Sequence, residues 1–198
     1  MALTDLASYI DASPNAHITL LKWCRDSKGV PHQFLVLNVE LLTPDSGRRA
    51  LWLRLDRRSH RDATPSQLLS STSASADTAT LSEFEQPLFN GEQHRLEVQT
   101  TFMTPPPLET LRDLLFIVMH ESSKYKVIHE NCMFFCSVIY EDLVSLGKGW
   151  NFLGAPNKYS MSLGPEARAR IRARRRTYVF IPPFLPRLSL LSLRPCSL

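Results

Sequence analysis

The chain has 198 residues, of which 43% are hydrophobic and 21% charged. These globular proportions exclude a largely disordered protein, and the length suits one domain with its own core better than two. The net charge of +4 is uneven, because eight Arg stand against one Glu from Glu166 onward and leave residues 1–165 at −3, so the basic pI gives no argument for an anionic ligand on the main body.

LTDLASYI (3–10) carries apolar residues at helical spacing and should end before Pro14. HITLLKWC (17–24) predicts a strand, with DSKG (26–29) as the turn after it. HQFLVLNVELL (32–42) is almost continuously apolar, as in a central strand covered on both faces. TPDSGRR (43–49) has hairpin-loop chemistry, and LWLRLDR (51–57) alternates as a strand with one core face. TPSQLLSSTSASADTATLSE (64–83) is rich in Ser, Thr and Ala and predicts a flexible insertion.

HRLEVQTTF (94–102) alternates again as a strand, and Pro105 to Pro107 break it. LETLRDLLFIVMHESS (108–123) then predicts a helix. CMFFCSVIYEDLVSLG (132–147) predicts a second helix, with Cys132, Phe135, Cys136, Ile139, Leu143 and Leu146 on its apolar stripe and Gly147 as C′ residue. Phe134 beside Phe135, and Trp150 with Phe152, add bulk expected in the core or along a groove. GPEARARIRARRR (164–176) predicts a cationic helix, and the proline-broken tail after Tyr178 predicts no regular element. The expected class is α+β, with an antiparallel sheet of about four strands packed by two main helices. One domain should cover 1–163 with its insertion near 64–83, followed by a basic helix and irregular tail over 164–198.

Four cysteines (Cys24, Cys132, Cys136 and Cys196) are too few and too scattered for a disulfide framework. The N-terminus lacks a basic region followed by an apolar one, and no apolar run reaches the roughly 18 residues of a membrane span. Cys196 stands third from the end, not fourth as a prenylation box requires. A cytoplasmic protein without a transmembrane segment is expected. The basic run Arg168–Arg176 reads as a solvated or partner-binding face, or as a nuclear-localisation signal. Without interleaved aromatics it does not predict nucleic-acid binding.

Asn131-Cys132 carries the chemistry. Asn is a favoured N-cap, which places Cys132 in the first helical turn, where the helix dipole and unpaired amides favour a thiolate. The same amides can stabilise an oxyanion. A thiolate nucleophile benefits from a His partner. His32, at the mouth of the strongest strand, is the best placed candidate, whereas His17, His60, His94 and His120 show no partner pattern. Buried, inert cysteine and hydrogen-bonded structural histidine remain the plain alternatives for Cys132 and His32. His129, Cys132 and Cys136 have ligand-like spacing, but a helix starting at Asn131 leaves His129 outside it, so no metal is expected. With few glycines and no phosphate loop, no cofactor is expected either.

The His-then-Cys order, with Asn131, Cys132 and Phe135 in an Asn-Cys-x-x-Phe pattern opening a helix, resembles the circularly permuted branch of the NlpC/P60 papain-like superfamily. That branch includes the lecithin retinol acyltransferase-like proteins and the PPPDE peptidases. The resemblance covers roughly residues 30–147. It implies a permuted papain-like fold and a thiol-dependent hydrolase or acyltransferase acting on a peptide, isopeptide or acyl substrate. Cys132 would be the nucleophile and His32 its partner. Asp56 is the candidate to orient His32, with Arg54 as the neighbouring alternative, and Asn131, Phe135 and Arg54 are candidate binding residues. Met133-Phe134 stand where the acyltransferases carry more polar residues, which counts against lipid substrates. A catalytically silent interaction module using the same groove is the alternative, since function is decided at the site and not by the fold. The sequence does not specify an oligomeric state.

Overall fold

The computed structural model describes residues 3–11, 13, 15–27, 32–42, 47–59, 75–89, 91, 93–124 and 130–179. Pro14, most of the two predicted turns, residues 64–74 of the insertion, His60, His129 and the tail from 180 lie outside them. The elements run α1 (Leu3–Asp11), β1 (Ala16–Asp26), β2 (Gln33–Leu42), β3 (Arg48–Ser59), β4 (Ser75–Ser82), a 3-10 turn (Gln86–Phe89), β5 (His94–Phe102), α2 (Leu108–Glu121), α3 (Cys132–Gly147), β6 (Gly149–Gly154), α4 (Lys158–Ser162) and α5 (Pro165–Val179). The class is α+β, with one antiparallel sheet of six strands in the order β4-β3-β2-β1-β5-β6. No helix among the described residues is long and apolar enough to cross a membrane.

β2 lies inside the sheet, and its continuous apolar run follows from having two covered faces. Leu35, Leu37 and Val39 belong to the main core with Phe134, Phe135 and Ile139 of α3 and Leu111 and Leu115 of α2. Phe34 and Val36 point the other way, into a smaller cluster with Cys24, Leu88 and Phe89. The turn Gln86–Phe89 supplies two of those residues and so roofs the face opposite the helices. Fully burying one such Leu, Ile or Phe contributes roughly 1.5–3 kcal/mol, which fixes β2 against slipping by one residue.

The sheet exceeds the four strands expected from the sequence. Ser75–Ser82 falls in the segment expected to be a flexible insertion, because SADTATLS offers little apolar area. It instead pairs along β3 from Trp52↔Ser82 to Ser59↔Ser75, and Asp77 anchors it on the buried Arg57. β6 is a further strand beyond those expected, and Trp150 and Phe152 on it are 53% and 65% exposed, not core. The chain reverses into β6 through Lys148, whose φ of 47° and ψ of 51° make it the left-handed cap instead of Gly147. Gly147 is the last helical residue, and a Cβ there would run into Phe102 and Pro106. Leu146, expected on the apolar stripe, is 43% exposed.

The cationic helix α5 is not a free solvated face. Ala167 and Ile171 enter the main core. Arg168 is buried, donates its Nε to the Leu163 carbonyl at 2.6 Å, and bonds Glu141 and Ser137 of α3. Arg174 reaches Glu121 of α2 at 2.6 Å, and Arg175 pairs with Asp142 of α3. A cavity of about 300 Å³ between α3 and α5 is lined by Glu141, Asp142, Arg168 and Arg172, away from Cys132.

Candidate active site

The start of α3 is set by Asn131. Its backbone is extended (φ −103°, ψ −165°), and its side-chain oxygen accepts from the Phe134 amide at 3.1 Å. Its carbonyl accepts the first intrahelical bond, from Phe135 N–H at 3.0 Å. Cys132 is therefore the first helical residue, and its amide and that of Met133 have no partner within the helix. Of the two roles expected of Asn131, capping and binding, the geometry is that of a cap. Phe135, the other binding candidate beside it, is fully buried beneath the start of α3, with the Arg57 guanidinium 4.9 Å from its ring centroid. It anchors the helix and does not line a groove.

His32 immediately precedes β2 and lies where the end of the sheet meets the start of α3. One ring nitrogen, Nε2, lies 2.7 Å from Oδ1 of Asp56, in β3 directly across from Phe34. That leaves Nδ1 for Cys132, whose thiol interacts with the imidazole. His32 also stacks on Phe34 at a centroid distance of 6.3 Å and an interplanar angle of 22°.

The charges follow from these contacts. Burial pushes the His32 imidazolium toward losing its proton, but the bonds to Asp56 and Cys132 outweigh it and raise the pKa to about 9. Burial likewise raises Asp56, and the bonds from His32 and Arg54 overcome it and hold the carboxyl at about 2. Burial opposes a Cys132 thiolate too. The His32 bond, the Gln33 and Met133 backbone amides and the imidazolium charge bring its pKa below the ordinary value. At neutral pH the imidazole and the aspartate behind it are thus both charged, and the Cys132 thiol ionises more readily than an ordinary one. The other two described cysteines go the opposite way, with Cys24 pushed by burial to about 12 and Cys136, one turn along α3, well above its usual value.

Arg54 is 4% exposed and stands behind Asp56. Its Nε donates to Oδ2 at 2.7 Å and its Nη2 to Oδ1 at 3.0 Å, while Nη1 donates to the Leu88 carbonyl at 2.7 Å. Its guanidinium lies 3.8 Å from the Phe34 ring centroid. Between the two candidates for orienting His32, Asp56 therefore contacts the imidazole, and Arg54 contacts the aspartate.

Three features of this end of the sheet go beyond what the sequence suggests. The Gln33 backbone amide favours the Cys132 thiolate, and the Gln33 side-chain oxygen accepts from the Trp23 indole at 2.9 Å. Phe89 packs on Phe34 at 6.2 Å between centroids. His94, at the start of β5, stacks on Phe89 at 3.7 Å and 6°. Position beside His32 is the one sequence signal for Gln33, and nothing local marks the other two. Of the remaining histidines, His17 leans on the Asn15 carbonyl at 3.3 Å and His120 contacts Arg174 at 2.6 Å, both away from this cluster.

No protein-family model, no curated protein and no solved structure matches this chain.

Proposed function

We propose that the chain is a thiol-dependent hydrolase or acyl-transfer domain of the permuted papain-like type, with Cys132 as nucleophile and His32 and Asp56 behind it. One observation carries this: His32, bonded to Asp56 of β3 at 2.7 Å, also interacts with Cys132 at the start of α3, and the thiol is shifted down and the imidazole up. A lone buried cysteine is shifted up, as Cys136 is.

The chemistry follows from the protonation states. The Cys132 thiolate attacks the carbonyl carbon of an amide or ester, and the carbonyl π electrons move to oxygen. The Cys132 backbone N–H, the first of α3 and unengaged within the helix, is the available oxyanion donor. The tetrahedral species collapses as the His32 imidazolium gives its proton to the departing amine or alcohol, leaving a thioester and a neutral imidazole. Water, or an acceptor in acyl transfer, then attacks the thioester while His32 takes its proton, and the thiolate returns. Asp56, kept ionised, holds the ring by Nε2 and stabilises its positive form, so Nδ1 stays on the sulfur.

The alternative, a catalytically silent interaction module of the same fold, is favoured by a different observation. Cys132 is only 4% exposed, and the cavity between α3 and α5 does not reach it. Incubation with p-nitrophenyl acetate followed by peptide mass spectrometry separates the two. An acetyl adduct on Cys132, absent in Cys132→Ala and strongly reduced in His32→Ala, is the expected result. Absence of any adduct on Cys132 while the protein is folded supports the silent module.

A further inference from the structure

We propose that Arg54 is a positioning residue of this site, acting on His32 through Asp56 and joining the carboxylate to the 3-10 turn that borders it. The inference rests on the proposed function for its chemical meaning, but its geometry is independent of it. Asp56 accepts from His32 and from Arg54 at Oδ1 and from Arg54 alone at Oδ2, so both oxygens are engaged, while the half-exposed Arg58 stands 3.8 Å from Oδ1 and its charge opposes the His32 imidazolium in every variant alike. A carboxylate held by one partner can rotate about its Cβ–Cγ bond. One gripped on both oxygens by a planar fork cannot rotate without breaking two charge-assisted bonds.

The guanidinium is itself held on two further sides. Nη1 donates to the Leu88 carbonyl in the Gln86–Phe89 turn, and the plane rests over Phe34. The same turn carries Phe89, which stacks with His94. Seating of the turn, direction of the carboxylate and direction of the imidazole are thus linked through one side chain. Lysine, a point charge without a fork, could neutralise Asp56 but could not hold both its oxygens and Leu88.

The two roles Arg54 could have predict opposite shifts at His32. As a mere neighbouring cation, its removal would raise the His32 pKa, because a positive charge disfavours the imidazolium. As the positioner of Asp56, its removal frees the carboxylate from Nε2 and lowers the His32 pKa from about 9 toward the unperturbed 6.5. The experiment titrates His32 by NMR and measures iodoacetamide alkylation of Cys132 at pH 6 in wild type, Arg54→Lys, Arg54→Met, Asp56→Asn and the Arg54→Met/Asp56→Asn double variant.

The expected result is a fall of about one unit or more in the His32 pKa for Arg54→Met, and a smaller fall for Arg54→Lys. Alkylation at pH 6 should slow roughly 10-fold or more in Arg54→Met. Neither effect should be found when Arg54→Met is added to Asp56→Asn, since groups that act through one another are not additive. A rise in the His32 pKa, or an Arg54 effect equal in both backgrounds, overturns the proposal. If Arg54→Met does not fold, Arg54→Lys and the double variant, which leaves no buried carboxylate unpaired, decide it by the same criteria. An unreactive wild-type Cys132 would sink the proposed function alone, because the His32 titration still judges Arg54.

Discussion

Two arginines of β3 make aspartate pairs of nearly the same geometry on opposite faces of the sheet, one with Asp56 of the same strand and one with Asp77 of β4. Arg54 grips Asp56 through Nε and Nη2 at 2.7 and 3.0 Å and sends Nη1 to Leu88. Arg57 grips Asp77 through the same two nitrogens at 2.8 and 2.6 Å and sends Nη1 to Ser122 at 2.8 Å. The Arg57 pair is sealed, at 0% and 2% side-chain exposure, and every partner is fixed: a strand, the end of α2, and Phe135 under α3. The Arg54 pair has the same construction plus a titrating third member, His32, and behind that a thiol. A buried ion pair alone is therefore no sign of chemistry. The group that shares its carboxylate decides whether the pair clamps a fold or tunes a proton.

The largest effect should come from breaking the sealed pair. Arg57→Leu leaves Asp77 buried without its partner, and loss of one member of such a pair costs about 3–5 kcal/mol. Urea denaturation should register that loss. Under native conditions the pH at which Cys132 alkylates should be unchanged, because Arg57 serves the core and not His32. An altered Cys132 profile would erase the distinction between the pairs.

Asp56→Asn should give the converse pattern. Its carboxyl is held near pH 2 against an ordinary 3.8, a difference worth about 2 kcal/mol by proton linkage. That stability is present above pH 3.8 and is lost as pH falls through about 2. His32, raised from 6.5 to about 9, adds stability fully present below 6.5 and lost as pH rises through about 9. Both contributions coexist between pH 3.8 and 6.5. Denaturation midpoints of wild type should peak in that window, and Asp56→Asn should flatten the profile on both sides while slowing alkylation. Asn131→Ala is the mildest change. Loss of the cap should cost about 0.5–2 kcal/mol and move Cys132 reactivity less than Asp56→Asn does, since the imidazolium remains.

Those two pairs also explain how much of the molecule is legible in its sequence. β5, α2 and α3 are legible nearly to the residue, because their periodicity and caps are local: His94–Phe102 alternates, Pro107 precedes α2, and Asn131 precedes α3. His32 and Cys132 are legible as candidates because each sits at the end of a strongly patterned element. β4 is not, since Ser75–Ser82 has no apolar signature and is held by long-range pairing with β3 and by Asp77 on Arg57. The basic helix misleads for the same reason. Its charge pattern looks solvated, yet Arg168, Arg174 and Arg175 find acids on α2 and α3 that no local pattern announces. Asp56 is within reach as a neighbour on the correct strand, whereas its grip by Arg54 depends on a turn 34 residues away in sequence.

The central claim is that Cys132 is activated by His32, and the pH dependence of alkylation, mapped by mass spectrometry over Cys24, Cys132 and Cys136, tests it most directly. Cys132 should react with iodoacetamide at mildly acidic pH, where Cys136 and Cys24 stay silent, because its pKa is shifted down and theirs are shifted up. His32→Ala should move that reactivity to higher pH. A Cys132 that reacts no earlier than an ordinary thiol, with a profile unchanged by His32→Ala, would contradict the account and leave Cys132 as a core residue.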